Sequence, residues 1–270
     1  VASPAVHPVA IGAGARRALW IGPTAGTELA LAAEWLATLM PVETTADASG
    51  LGAGHARPRL VVLACPRPAC WTLADLTRVA TALPLVPVVA VTTSLAEGSR
   101  RSGDLLPGIE EIPWIELPGR IWTWIRAPLP ATFGPGRRDE RWLAPAHAHG
   151  SPARRVHVAA DRDFFEPMCD LLTAAGWTPV PLPGKRPQPG CGGPVAWGIG
   201  GVGASDREWL RLLTSDGRRD VLVMESFPRG DDVAATLSAG AAAVLPRTIA
   251  AESLAGTLGW MMARAGHECV

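Results

Sequence analysis

Short, unbroken apolar runs alternate with stretches of helical spacing along this chain, and the alternation occurs twice. In the first half Ala18 to Ile21 is such a run. Glu28 to Leu39 then sets Leu31, Trp35 and Leu39 at helical spacing, and Leu60 to Leu63 is a second run. Val88 to Val91 and Ile112 to Leu117 read as further strands. The counterparts in the second half are Val156 to Ala159, a helix from Glu166 to Ala175 ending at Gly176, then Val195 to Gly198, Val221 to Met224 and Ala242 to Leu245. Equivalent runs are offset by about 138 residues at the start and about 130 at the end, a slow drift that marks an internal repeat. Apolar runs of this length between helical segments imply parallel strands covered on both faces. The pattern predicts an α/β fold of two doubly wound parallel domains of about five strands each.

Between residues 127 and 153 the periodicity stops and the chain becomes rich in Pro, Gly and charge, the composition of an exposed connector. The predicted organisation is therefore a tail over 1–15, a first domain over 16–126, a Pro/Gly-rich linker over 127–153 and a second domain over 154–266. A chain of 270 residues is long enough for both domains to bury a core.

Charge narrows the partners. Lys plus Arg (25) balances Asp plus Glu (25), which disfavours a basic face for nucleic acid or a polybasic membrane patch. Residues 1–15 lack a basic start followed by an apolar run, and the longest apolar segment, Val79 to Val91, is about half a membrane span and contains Pro84 and Pro87. A soluble, cytoplasmic protein with no membrane or nucleic-acid partner is expected. The composition also carries a GC-rich coding bias: Lys185 is the single lysine, Tyr is absent, and there are 29 Gly and 26 Pro. Glycine motifs thus arise by chance more often than usual.

Five cysteines, Cys65, Cys70, Cys169, Cys191 and Cys269, are too scattered for a disulfide framework. Cys65 and Cys70 have four residues between them and no second Cys or His pair at zinc-ligand spacing, so reduced, buried or incidental thiols are expected and no metal site. His147 and His149 lie in the linker without a carboxylate partner nearby. No Ser/His/Asp or Cys/His set can be assembled, and no catalytic residue is assigned. In Arg120 to Arg126 the rings of Trp122 and Trp124 fall on different helix faces, one toward a core and one toward an interface or solvent.

Val221-Leu-Val-Met-Glu-Ser226, Asp231 to Ala239, Ala239-Gly-Ala-Ala-Ala-Val-Leu-Pro-Arg247 and a final helix from Ala251 carry a more specific signal. They resemble the fourth strand, fourth helix, Ala-Gly-Ala turn, fifth strand and fifth helix of the receiver domain of bacterial response regulators. Pro87 to Thr93 and Gly108 to Trp114 are a fainter copy in the first half. The resemblance implies two flavodoxin-like units. It also implies a chemical test, because that family needs an acidic pair after the first strand for magnesium, an Asp phosphoacceptor after the third, a Ser/Thr after the fourth and a Lys after the fifth. Magnesium wants hard oxygen ligands, so losing these carboxylates abolishes phosphoryl transfer.

Carried over position by position, the acidic pair of the first domain falls on Gly22 and Pro23 and the phosphoacceptor on Ala64, and Thr92 alone survives. In the second domain Asp161 keeps one acid with Ala160 in the other place, and Asp163 is an additional carboxylate. The acceptor position falls on Ile199 or Gly200, Glu225 or Ser226 stands at the hydroxyl position, and Arg247 replaces the Lys. Asp161 and Arg247 can pair as a salt bridge across this degenerate pocket. The resemblance therefore implies a non-catalytic, phosphorylation-independent pseudo-receiver that uses no cofactor and works through a protein partner or self-association. A portion of a larger transcription regulator is a related reading.

A second class of function stays open. Gly198-Ile-Gly-Gly-Val-Gly203 satisfies a Gly-x-Gly-x-x-Gly pattern after an apolar strand and before a helix from Ser205 or Asp206 to Leu213, and Glu225 ends the next strand. Gly198, Gly200, Gly203 and Glu225 together suit a dinucleotide or another small molecule, at this loop or in an interdomain cleft, in a two-domain α/β enzyme. Against that stand the glycine-rich composition, the position of the strand as third in its domain, and the missing catalytic set.

Overall fold

The computed structural model describes residues 17–51, 58–97, 106, 108–126, 154–217 and 220–266. The tail, the linker, His147, His149 and Cys269 lie outside the described residues.

The first sheet is built from β1 (Ala18–Ile21), β2 (Val42–Thr45), β3 (Leu60–Cys65), β4 (Val88–Thr92) and β5 (Glu110–Pro113), all parallel, in the order β2-β1-β3-β4-β5. Every residue of β1 and β3 is buried, which is why their sequences are continuous apolar runs rather than alternating ones. Helices α1 (Thr27–Leu39), α2 (Leu73–Ala82) and the single turn α3 (Ser94–Glu97) connect them. The start of α2 is set by a capping box, in which the Thr72 hydroxyl accepts the Asp75 N–H and the Asp75 carboxylate accepts the Thr72 N–H. Trp35 of α1 stacks on Trp114, with ring centroids 5.8 Å apart and planes inclined by 2°.

The second sheet comprises β6 (Arg155–Ala160), β7 (Thr178–Pro181), β8 (Val195–Ile199), β9 (Val221–Glu225) and β10 (Ala243–Pro246), again parallel, in the order β10-β9-β8-β6-β7. Read from the opposite edge, that is the same order as in the first sheet. Both are α/β, flavodoxin-like, doubly wound arrangements. Helices α4 (Leu117–Arg126), α5 (Arg162–Ala174), α6 (Ala204–Leu213), α7 (Gly230–Ser238) and α8 (Ala251–Arg264) complete the elements. By its contacts the chain divides into one unit of Val1–Pro118 with Arg229–Ala234 and another of Gly119–Pro228 with Ala235–Val270.

Inside the second unit α4 crosses α8 at backbone distance. A Cβ on Gly256 would overlap the Gly119 carbonyl oxygen, and one on Gly119 would overlap the Ser253 carbonyl oxygen. Gly259 lies under the Trp122 indole, 2.7 Å from Nε1 to where its Cβ would be, and Trp122 is buried while Trp124 is half-buried. The largest fully buried side chains of this sheet and its cover are Trp197 and Trp260. Among the described residues no helix is long and apolar enough to cross a membrane.

Four elements differ from the pattern reading. The expected strand from Ile112 to Leu117 ends at Pro113, passes through a 3-10 turn at Trp114–Glu116 and becomes α4. Buried Trp114, Ile115 and Leu117 imitate a strand run, whereas Pro118 suits only the first turn of a helix. Helix α5 begins at Arg162 rather than Glu166, because Pro167 sits on its exposed second turn instead of opening the helix. It ends as read, at Gly176 with φ +80. The edge strands β2 (VETT) and β7 (TPVP) carry no apolar run to read, since neither is buried like the central strands.

Candidate functional site

In open parallel sheets, ligand sites form beyond the carboxyl ends of the strands, where the winding reverses. In the first sheet that point lies between β1 and β3, at Gly22, Pro23 and Ala64. It is covered there by an aromatic ring. The Trp71 indole N–H donates to the Ala64 carbonyl at 2.9 Å, and a Cβ on Gly22 would lie 3.1 Å from the Ala64 Cβ and 3.5 Å from the Trp71 ring. Thr92 is buried with its hydroxyl donating to the Ile112 carbonyl at 3.4 Å, and the Thr93 hydroxyl donates to the Pro66 carbonyl at 2.9 Å. The Ser94 N–H and hydroxyl both donate to the Glu28 carboxylate, at 2.8 and 2.6 Å. The hydroxyls at this edge are thus spent on the protein itself.

The reversal point of the second sheet lies between β6 and β8. Asp161 follows β6 at the N-cap of α5, yet its side chain makes no capping bond. Instead its carboxylate faces two cations, Arg247 Nη2 at 3.6 Å and Lys185 Nζ at 3.8 Å. Arg247, directly after β10, stacks on the Phe164 ring with its guanidinium carbon 4.4 Å from the centroid. Its Nε and Nη2 are shielded from solvent without a hydrogen-bond partner. The Asp161 carboxylate thus has two cations within 4 Å.

Of the other residues singled out by sequence, Asp163 is exposed on the first turn of α5 and Ser226 is half-buried, its N–H donating to the Gly200 carbonyl at 3.4 Å. Glu225 is buried at the end of β9, and its carbonyl accepts the Arg247 N–H at 2.9 Å. Ile199 is the last residue of β8, beside Gly200.

The glycine pattern divides into residues with different causes. A Cβ on Gly198 would stand 2.6 Å from Phe164 Cδ1 and 2.9 Å from Met168 Sδ, so glycine is what lets α5 lie on β8. Gly200 and Gly201 have no atom within 4 Å of their Cβ positions. Gly203 is the N-cap of α6, and its N–H is bound by Asp206 Oδ2 at 3.0 Å. Arg186 holds Asp206 in turn, at 2.6 Å. The positive end of α6 is therefore occupied by a carboxylate of the chain itself.

Lys185 is the functional candidate that pattern reading passes over. It lies in the loop after β7, which is pinned by the Trp197 indole N–H on the Lys185 carbonyl (3.0 Å) and the Trp209 indole N–H on the Pro187 carbonyl (2.8 Å). This loop and Trp209 line a shallow groove of about 690 Å³ with Pro183, Gly184, Lys185 and Arg186 on its wall. The available signal was compositional, since every other cation in the chain is Arg. Among the described residues no group of three or more His, Cys, Asp or Glu is placed to hold a metal ion.

No protein-family model matches this chain, and no curated protein matches it. Among solved structures it is similar to the C-terminus of E. coli RcsC containing a linker region and phosphoreceiver domain, at TM-score 0.32 and 13% identity over 94% of this chain and 96% of that one. It is also similar to the apo form of a dinucleotide-forming acetyl-coenzyme A synthetase 1 of Ca. Korarchaeum cryptofilum, at TM-score 0.34 and 10% identity. That second match covers 95% of this chain but only 66% of the other. At such scores neither similarity carries an argument, and the flavodoxin-like assignment stands on the strand order and pairing alone.

Proposed function

We propose that this chain is a regulatory protein of two receiver-like units in tandem that is not phosphorylated and acts through protein contacts, with a partner or with a second copy. The observation that carries the reading is the chemistry at the two reversal points. Gly22, Pro23 and Ala64 in one unit, and Ala160, Ile199 and Gly200 in the other, bring no carboxylate to the matched positions. Asp161 is the one acid at those positions, and it is already engaged by Arg247 and Lys185. A magnesium ion needs several hard oxygen ligands, and an acyl phosphate needs an Asp acceptor. The Trp71 ring over Ala64 adds a steric reason in the first unit. A fold kept while its chemistry is lost suits a surface read by other proteins, and a bacterial transcription regulator is the setting that the family resemblance suggests.

Incubating the full chain with a small acyl phosphate and magnesium, followed by intact mass measurement, is expected to leave the mass unchanged. A stable phosphoryl adduct on either unit overturns the proposal. The competing dinucleotide reading is weakened by the packing cause of Gly198 and by Asp206 at the α6 terminus. It predicts stabilisation by a nucleotide or dinucleotide of roughly 2.7 kcal/mol at 100 times its dissociation constant. A flat thermal-shift panel is the expected result.

A further inference from the structure

We infer that Cys65 and Cys70 form a reversible oxidation site, at which a hydroperoxide converts Cys70 to a sulfenic acid and Cys65 closes an intrachain disulfide with it. The inference is independent of the function proposed above. Cys65 is the last residue of β3 and 5% exposed, whereas Cys70 is half-buried in the loop before α2 and packs against the apolar cluster that contains Cys65. Four residues, Pro66 to Ala69, separate them, and the loop doubles back at Ala69, whose φ of +52 is a left-handed conformation that alanine seldom adopts. That turn returns the Cys70 thiol to the Ala64 carbonyl, 4.0 Å away and one residue before Cys65, whose own thiol donates to the Leu63 carbonyl at 3.9 Å, and each thiol lies in the other's electrostatic surroundings.

The surroundings assign different roles to the two sulfurs. Cys70 is held down to about 7 by the Cys65 thiol, by backbone N–H groups and by the charge of Arg67, so it is substantially thiolate at neutral pH. Cys65 is pushed far up by the Cys70 thiol, by burial and by the Glu111 carboxylate of β5, against a smaller opposing hydrogen bond from Trp71. Cys70 is consequently the attacking sulfur and Cys65 the resolving one. The Cys70 thiolate attacks one peroxide oxygen, the O–O bond breaks and hydroxide leaves, giving the sulfenic acid. The Cys65 sulfur then displaces water from the Cys70 sulfur, its proton leaving with that water, and the S–S bond forms. Two thiols lose two electrons in all, and one peroxide is reduced to the oxygen level of water.

The test is peptide mapping of the full chain after brief exposure to hydrogen peroxide and alkylation. The expected result is loss of both alkylation sites in the segment spanning Cys65 to Cys70 with a mass lower by about two hydrogens, restored by dithiothreitol, while Cys169 and Cys191 remain alkylated. Cys70→Ser, which changes a half-buried loop residue, should abolish this product, and Cys65→Ser should leave a sulfenic acid trappable at Cys70. Iodoacetamide labelling of Cys70 should be half-maximal near pH 7 and move upward in Cys65→Ser. Persistent alkylation of both thiols after peroxide, a bridge to another cysteine, or Cys70 labelling with the pH profile of an ordinary thiol near 9 overturns the inference.

Discussion

Gly256→Val is expected to destabilise the second unit by about 3 kcal/mol, enough to shift its urea midpoint well below that of the parent. Helix propensity predicts the opposite sign for the smaller change Gly256→Ala, because alanine gains about 1 kcal/mol over glycine in a helix interior. The contact decides otherwise. A Cβ at this position would run into the Gly119 carbonyl oxygen, the Gly119 carbonyl carbon and the Thr123 hydroxyl, and Gly256 is buried in the middle of α8. Two of those three atoms are backbone, so no side-chain rotation relieves the overlap and α4 must move off α8. Gly259→Ala is the matched control, because there the obstruction is the edge of the Trp122 indole, which can tilt. Its cost should be about 1 kcal/mol. If Gly256→Ala stabilises the protein as propensity alone would have it, the close α4–α8 crossing does not exist in solution.

That crossing illustrates what a linear pattern withholds. The central strands β1, β3, β8 and β9 were legible because burial on both faces writes itself as an uninterrupted apolar run. The edge strands β2 and β7 were not, since a half-covered strand such as VETT or TPVP has nothing to distinguish it from loop. Helix α5 was read from Glu166, a turn after its actual start at Arg162, and Pro167 faces outward on its second turn. The opposed pair Asp161 and Arg247 was legible only through family resemblance, each residue lying just beyond a strand end that the pattern had located. Trp71 was beyond reach, and Lys185 was marked only by being the single lysine. Each reaches the reversal point of its own sheet through loop geometry, Lys185 from a loop pinned by two indole N–H groups and Trp71 from a turn through left-handed Ala69, and such geometry leaves no periodic trace.

Gly198→Val should cost about 2 kcal/mol, whereas Gly200→Val, two residues on, should stay within about 0.5 kcal/mol of the parent. None of Gly198, Gly200, Gly201 and Gly203 has a left-handed φ, so backbone strain does not enter and the contrast isolates packing. At Gly198 the added carbon atoms would meet the Phe164 ring and the Met168 sulfur on α5, and Phe164 is itself fixed beneath the Arg247 guanidinium that faces Asp161. The substitution therefore loosens the cluster of charges as well as the helix–sheet seam. At Gly200 the new side chain enters open solvent. A dinucleotide site makes the reverse demand, because the central glycine of the pattern admits the pyrophosphate and a valine there blocks it without touching stability. Urea midpoints of the two variants, set beside their thermal-shift response to nucleotides, separate the two causes. Loss of stability at 198 with silence at 200 assigns the glycines to packing and an unobstructed loop. A parent stabilised by a dinucleotide and a Gly200→Val variant that is equally stable but unresponsive would move the function of this edge from contact to ligand.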